Sequence, residues 1–259
     1  MDTFCIYAPE QVTFEYQIPD HLRGISTVED MRQTDLDLLK RELRSKGTTL
    51  EQEISQGRIW RMKFPGMILD AKALYSNDGT VRIQVYPIHP HRADLTQRAT
   101  HLERRCPITV NAIIVNQDHQ VILAPRTDAP ILGVIPGGHV EYDPQNPQSD
   151  SLDHLLNEFK EELGFAHSGI RSETPIICVH DNKDIRGINV LHSITVKKSF
   201  REILELWKKA KDRYEHSTLL SAPGERLDEL AHTGKTTLAE KPYETTLFFQ
   251  DCIRYFLGH

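Results

Sequence analysis

Three glutamates stand close together in one short stretch of the sequence. Glu158, Glu161 and Glu162 lie within a helix predicted over about 150–163. Positions i, i+3 and i+4 are neighbours on a helix surface, so the three carboxylates repel one another. They also lie in the last two turns, where the helix dipole disfavours negative charge. A hard divalent cation such as Mg²⁺ relieves both penalties, because it prefers oxygen ligands. The alternative is a solvated acidic helix face with no function.

A glycine turn lies ahead of this helix. A short apolar run over 131–135 predicts a strand, and Pro136-Gly137-Gly138 follows it directly. Two glycines allow the backbone to approach a ligand closely and expose a carbonyl oxygen. An acidic helix and such a turn can hold metal and phosphate oxygens between them.

The predicted helix has one apolar stripe that would pack on a sheet. The stripe consists of Leu152, Leu155, Leu156, Phe159 and Leu163. Buried strands are predicted around it at 108–115, 121–124, 175–180 and 188–198, with further helices at 200–214 and 242–257. Mixed strands with helices on their faces predict an α/β/α sandwich.

The N-terminal part of the sequence has a different pattern of predicted elements. Ser26 and Thr27 precede acids in the manner of a helix start, leucines recur at helical spacing, and Gly47 is a plausible stop. The segments 67–75 and 80–86 flank Asn77-Asp78-Gly79, which predicts a β-hairpin. We expect an α+β domain of unknown role over 1–104 and a second domain over 105–259.

Composition excludes several classes of protein. The chain has 259 residues and a net charge of −6, so it is a poor bulk binder of nucleic-acid backbone. It contains no apolar run of roughly 18 residues, and its start lacks a secretory signal pattern. The four cysteines are far apart, which predicts reduced thiols and a cytoplasmic protein.

The glycine turn and the acidic helix together resemble a known motif. Gly137-Gly138-His139-Val140-Glu141, followed by the run from Glu158 to Phe165, is similar to the Nudix box of the Nudix hydrolases. The resemblance covers about 105–259. It implies a Nudix-like α/β/α sandwich with a mixed sheet, following the smaller N-terminal domain. It also implies hydrolysis of a nucleoside diphosphate derivative, such as a nucleotide sugar or dinucleotide, with Mg²⁺ or Mn²⁺ as cofactor.

The same resemblance implies a set of metal ligands. Glu158, Glu161 and Glu162 would bind the metal through their carboxylates, and Gly137 would add its carbonyl oxygen. Gly138 would contact the substrate.

The resemblance implies catalytic and substrate-binding residues as well. Glu215, in a Glu-His element, would act with Glu161 and Glu162 in catalysis, because one carboxylate outside the helix must orient or deprotonate the attacking water. The alternative for Glu215 is an ordinary solvated glutamate. Arg126 would bind a phosphate of the substrate. The alternative for Arg126 is an ordinary surface arginine.

Two departures from the motif bear on activity. The segment between the glycines and the helix is longer by about five residues, so either Asp143 or Asp150 could replace the first glutamate of the box. We expect this insertion to bulge outward as a loop. Asn157 stands where the family has an arginine that braces the glutamates, so turnover could be reduced.

Two functional hypotheses follow. The first is a Nudix-type pyrophosphohydrolase acting on a small-molecule nucleotide. The second is a catalytically weak, Nudix-like nucleotide-binding sensor. In either case we expect no membrane partner, no nucleic-acid partner and a homodimer as one option.

Overall fold

The computed structural model describes residues 5–57, 66–93, 105–127, 129–146, 149–165, 170–172, 175–181 and 186–258. Its helices are α1 (Val28–Ser45), α2 (Leu50–Ser55), α3 (Ser151–Leu163), α4 (Phe200–Trp207), α5 (Gly224–Thr233) and α6 (Leu247–Leu257). Its strands are β1 (Cys5–Tyr7), β2 (Gln11–Tyr16), β3 (Ile68–Asn77), β4 (Thr80–Ile88), β5 (Ile108–Val115), β6 (Val121–Pro125), β7 (Ile131–Val134), β8 (Gly137–His139), β9 (Ile170–Ser172), β10 (Ile176–Asp181), β11 (Arg186–Val196), β12 (Leu220–Ala222), β13 (Lys235–Leu238) and β14 (Lys241–Thr245).

The chain forms two compact units that alternate along the sequence. Unit 1 comprises 1–109, 139–151 and 177–190, and unit 2 comprises 110–138, 152–176 and 191–259. The boundary expected at residue 104 lies outside the described residues. The division into domains at that point therefore stays a prediction.

Unit 1 contains the expected hairpin. Strands β3 and β4 pair antiparallel, and β2 adds to β4 in parallel, so the sheet order is β2-β4-β3. The turn places Asp78 and Gly79 at φ of 47° and 75°, which is the left-handed geometry that an Asp-Gly turn supplies. The hairpin prediction is confirmed.

The first helix also begins and ends where its residues predict. The Thr27 hydroxyl accepts the Asp30 backbone N–H at 3.1 Å and so caps the N-terminus of α1. Gly47 lies beyond the C-terminus with φ of 77°. Between these ends, Leu39 and Leu43 are fully buried and pack with Leu50 of α2.

A mixed sheet forms the centre of unit 2. Its strand order is β11-β5-β6-β7-β14-β13. Strands β7 and β14 are parallel, whereas β5, β6 and β7 are successively antiparallel. This combination of mixed strands and helices confirms the α/β class.

Helix α3 presents its predicted stripe to the core of unit 2. Leu155, Phe159 and Leu163 are fully buried, and Leu152 and Leu156 at the edges of the stripe are partly buried. The Phe159 and Phe165 rings meet edge to face at 5.8 Å between centroids. Burying each large apolar side chain stabilises the fold by about 1.5–3 kcal/mol, which fixes the orientation of the helix.

Two helix predictions in the C-terminal part are wrong in extent. The helix expected over 200–214 ends at Trp207, where a tight turn follows with Ala210 N–H donating to the Trp207 carbonyl at 2.9 Å. The helix expected over 242–257 begins only at Leu247, capped by Thr246. Residues 235–245 instead form the β13–β14 hairpin.

The loop insertion does not simply bulge outward as expected. Tyr142 packs against a cluster of Leu22, Met31 and Met67, all within unit 1. Ser149 is buried and its hydroxyl lies 3.0 Å from the Tyr16 hydroxyl. Residues 143–146 are exposed, so this part of the insertion does lie in solvent.

A buried ion pair lies in unit 1. Asp35 and Arg92 are 1% and 3% exposed, and the Arg92 Nε lies 3.1 Å and 3.2 Å from the two Asp35 carboxylate oxygens. The His89 backbone N–H donates to the same carboxylate at 2.7 Å. Such a pair is tolerated in the interior only because each charge is fully hydrogen-bonded.

The buried His89 predicts a pH dependence of stability. Burial, followed by the charges of His91, Arg32 and Arg92, lowers the pKa of His89 from 6.5 to about 4, and Asp35 opposes this. The folded protein therefore disfavours the protonated imidazole, so stability is full above pH 6.5 and falls as the pH drops towards 4. We expect a loss of roughly 2–3 kcal/mol across this window, measured by denaturant unfolding at several pH values.

The control for this prediction is His89→Asn. The His89 Nδ1 accepts the His91 backbone N–H at 3.1 Å, and an asparagine oxygen can replace that acceptor without titrating. The variant should lose less stability than the wild type between pH 6.5 and 4. Equal losses in the two proteins would show that His89 is not the responsible group.

Two further expectations concern the cysteines and the membrane. Cys106, Cys178 and Cys252 are buried. Among the described residues, no helix is both long enough and apolar enough to span a membrane.

Candidate active site

The acidic residues of α3 differ in their burial. Glu162 is 4% exposed, whereas Glu158 and Glu161 are partly buried. The helix ends directly after them, at Gly164 with φ of 69°. The apolar stripe that packs α3 on the sheet therefore also fixes the three carboxylates along one flank of its last two turns.

The glycine turn touches this flank directly. The Gly137 backbone N–H donates to the Glu162 Oε1 at 3.4 Å. A Cβ added to Gly138 would lie 2.6 Å from the Glu158 Oε1, so only glycine fits there without displacing that carboxylate. The structure thus brings together four of the residues selected from the sequence: both glycines, Glu158 and Glu162.

Strand β5 holds the glycine turn in place through a backbone hydrogen bond. The Ala112 backbone N–H donates to the Pro136 carbonyl at 3.0 Å. A Cβ added to Gly137 would collide with the Asn111 side chain, which lies directly against the turn. Asn111 is therefore a site residue that the sequence did not reveal, because its contact joins segments far apart in the chain.

Glu162 has the strongest electrostatic perturbation of the site. Burial raises the pKa of Glu162 to about 8, with the nearby charges of Glu215 and Asp212 raising it further. Hydrogen bonds from Gly137 and Glu158 oppose the rise. The Glu162 Oε2 is buried and has no hydrogen-bond partner. A buried carboxylate oxygen without a hydrogen-bond partner is costly, and a bound cation would offset that cost.

A loop after α4 adds charged groups to the cluster. The Lys211 Nζ lies 2.9 Å from the Glu161 Oε1, and the Asp212 backbone N–H donates to the Glu161 carbonyl at 3.0 Å. A helix predicted over 200–214 gave no sign that Lys211 and Asp212 would reach Glu161. The early end of α4 at Trp207 is what lets this segment reach the carboxylates.

The Glu-His element lies beside Glu162. The His216 Nε2 is 3.6 Å from the Glu162 Oε2, and His216 pairs with Arg126 through a β-bridge. Burial lowers the pKa of His216, Arg126 lowers it further and Glu215 opposes the shift. Glu215 is exposed, and its carbonyl accepts the Thr127 N–H at 3.1 Å. Glu215 therefore lies near Glu162, and Arg126 lies beside His216.

The residues fit a divalent cation that is shared with a substrate. Among the described residues, no three His, Cys, Asp or Glu side chains are arranged as a complete metal cage. Mg²⁺ needs no such cage, since it is usually bound by one or two carboxylates together with waters and substrate phosphates. Glu158 and Glu162 could supply such a pair, since the Glu162 Oε2 accepts no hydrogen bond.

The two candidates for the missing box glutamate lie in unit 1. Asp143 accepts the Gln145 backbone N–H at 2.8 Å, as a turn residue does. The Asp150 Oδ2 accepts from the Gln11 side chain at 3.4 Å. Both carboxylates therefore have hydrogen-bond partners within unit 1.

The chain was compared with known proteins. No family profile matches it, and no curated protein matches it. Among solved structures, DR0079 from Deinococcus radiodurans aligns at 13% identity and a TM-score of 0.40, covering 61% of this chain and 88% of that chain. A C. elegans Ap4A hydrolase aligns at 14% identity and a TM-score of 0.36, and the alignment covers 59% of this chain and 96% of that chain.

A third match is the NUDIX domain of Shewanella oneidensis NrtR, solved with ADP ribose. It aligns at 14% identity and a TM-score of 0.34, covering 49% of this chain and 79% of that domain. TM-scores of this size carry no functional inference, so the residues of the site itself must support any assignment.

Proposed function

We propose that the chain is a divalent-metal-dependent hydrolase that cleaves the diphosphate linkage of a nucleoside diphosphate derivative through a Nudix-type site. The observation that carries the proposal is the buried Glu162 Oε2, which accepts no hydrogen bond and lies in a cluster with Glu158 and the Gly137-Gly138 turn. A cytoplasmic location is part of the same proposal.

The residues of the site have distinct roles in this reaction. Glu158 and Glu162 would hold Mg²⁺ or Mn²⁺ with the Gly137 carbonyl, and Glu161 would join them on release from Lys211. The bound ion supplies Lewis-acid stabilisation of charge on the phosphoryl oxygens.

A residue of the segment after α4 would take part in proton transfer. Water attacks one phosphorus, the anhydride P–O bond breaks, and two phosphate-bearing products leave. Glu215 would accept the proton of the attacking water, because it is the exposed carboxylate next to the buried cluster. Arg126, beside His216, would neutralise charge on the substrate phosphates.

The test is hydrolysis of a substrate panel by the full-length protein. Nucleotide sugars, dinucleotides and nucleoside triphosphates would be incubated with Mg²⁺ or Mn²⁺, with EDTA as the metal-free control, and products followed by ³¹P NMR. Metal-dependent cleavage of a diphosphate linkage supports the enzyme. Tight nucleotide binding without turnover supports the sensor instead. If the protein shows no nucleotide binding and no turnover, both proposals are contradicted.

The sensor remains a second candidate because of Asn157. This side chain is exposed and lacks the charge that would brace the neighbouring glutamates. Lys211 partly replaces that brace through its ion pair with Glu161, and this contact favours the enzyme.

The bracing argument makes a prediction about Asn157→Arg. The added guanidinium should order the carboxylates and raise kcat/KM by about 10-fold, because groups that position metal ligands change activity by this order. Thr237→Arg, at an exposed position of β13, adds the same charge away from the site and serves as the control. If steady-state kinetics show no increase, or an equal increase in the control, the account of position 157 is wrong.

A further inference from the structure

Tyr214 is an exposed aromatic side chain close to the site. It is 73% exposed, and among the described residues only Tyr75, at 53%, is a comparably exposed large hydrophobic side chain. An exposed tyrosine ring offers a flat apolar face on which a planar ligand can stack. Tyr75 lies on the β3–β4 hairpin of unit 1, whereas Tyr214 lies in unit 2 on the loop that carries Glu215.

The Tyr214 ring is exposed but its surroundings are ordered. The Arg213 guanidinium lies over the ring, 4.9 Å from its centroid, and the Arg213 Nη2 is 3.3 Å from the Tyr214 hydroxyl. The Thr127 hydroxyl donates to the Tyr214 carbonyl at 2.7 Å, and the Thr127 N–H donates to the next carbonyl, that of Glu215. The backbone and one face of the ring are thus fixed before any ligand arrives.

Tyr214 is close in sequence to a residue that lies beside the carboxylates. Tyr214 precedes His216 by two residues, and the His216 Nε2 is 3.6 Å from the Glu162 Oε2. Arg126 pairs with His216 on the neighbouring segment. An arginine and an exposed aromatic therefore lie on the two paired segments that adjoin the carboxylate cluster.

We propose that Tyr214, with Arg213 beneath it, is the platform on which the nucleobase of the substrate stacks. The inference rests on the proposed function and adds the recognition of the base to it. Any nucleobase has a π-face, so such a platform favours nucleotides as a class over diphosphates that lack a base. Arg213 polarises and orients the ring through the cation–π contact.

The experiment compares Tyr214→Ala and Tyr214→Phe, with Tyr75→Ala as the matched control. Each full-length protein would be assayed on a nucleoside diphosphate sugar and on phosphoribosyl pyrophosphate, a diphosphate without a base. Tyr214→Ala should raise KM for the nucleotide by about 5- to 50-fold with kcat within about twofold. It should leave the base-free substrate unchanged, and Tyr214→Phe and Tyr75→Ala should resemble the wild type.

Binding measurements separate failure of this inference from failure of the proposed function. The affinity for α,β-methylene ADP and for methylenediphosphonate would be measured by calorimetry, which needs no turnover. If the wild type hydrolyses nothing but Tyr214→Ala weakens only the nucleoside analogue, the hydrolase proposal fails and the platform stands. If Tyr214→Ala weakens both analogues equally, or neither, the platform is overturned.

Discussion

Replacing Glu162 with glutamine is expected to lower metal-dependent turnover by about 10²–10⁴-fold. Glutamine keeps the size of the side chain and can still accept the Gly137 N–H, but it removes the negative charge. The side chain that we propose to bind the cation is then a neutral amide. Mn²⁺ affinity should fall in parallel, and titration calorimetry together with steady-state kinetics measures both effects.

The matched control for Glu162→Gln is Glu225→Gln. Glu225 is an exposed glutamate on α5 of the same unit, so it reproduces the loss of one charge without touching the cluster. Its kinetics and metal affinity should equal those of the wild type. Comparable activity in the two variants would show that catalysis does not require Glu162.

The second large effect is expected from Gly138→Ala. The new Cβ would lie 2.6 Å from the Glu158 Oε1 and 2.9 Å from its Cδ, closer than real contacts allow. Glu158 must therefore shift, and a displacement of about 1 Å at a catalytic centre costs about 100-fold in rate. We expect a fall of that size in kcat/KM, with a smaller change in thermal stability.

Gly133→Ala separates this steric effect from a general cost of replacing glycine. Gly133 lies in β7 of unit 2, and a Cβ added there has no neighbour within 4 Å. Its activity should stay within about twofold of the wild type, in line with other substitutions that change no contact. Should both alanine variants lose activity alike, the close approach of Gly138 to Glu158 is not the cause.

The sequence predicts those parts of the site that depend on local pattern. The start of α3 lies one residue from its expected position, and its end is as expected, because the leucine stripe and Gly164 define both. The same periodicity sets Glu158, Glu161 and Glu162 on one flank. The turn residues Gly137 and Gly138 follow from composition, since few other residues tolerate so close a neighbour.

The remaining parts depend on contacts between distant segments. Asn111 meets the glycine turn only once β5 and β8 are paired. Lys211 reaches Glu161 because α4 ends at Trp207, and that end is set by packing that no local pattern reveals. The β13–β14 hairpin was missed because short, polar strands such as Lys235–Leu238 give a weak alternation.

The most direct test of the central claim is a crystal of the full-length protein grown with Mn²⁺ and α,β-methylene ADP. The account predicts anomalous density for manganese bound by the Glu158 and Glu162 carboxylates beside Gly137, with the analogue's phosphates on the same ion. Manganese bound elsewhere, with both carboxylates free of it, would contradict the account.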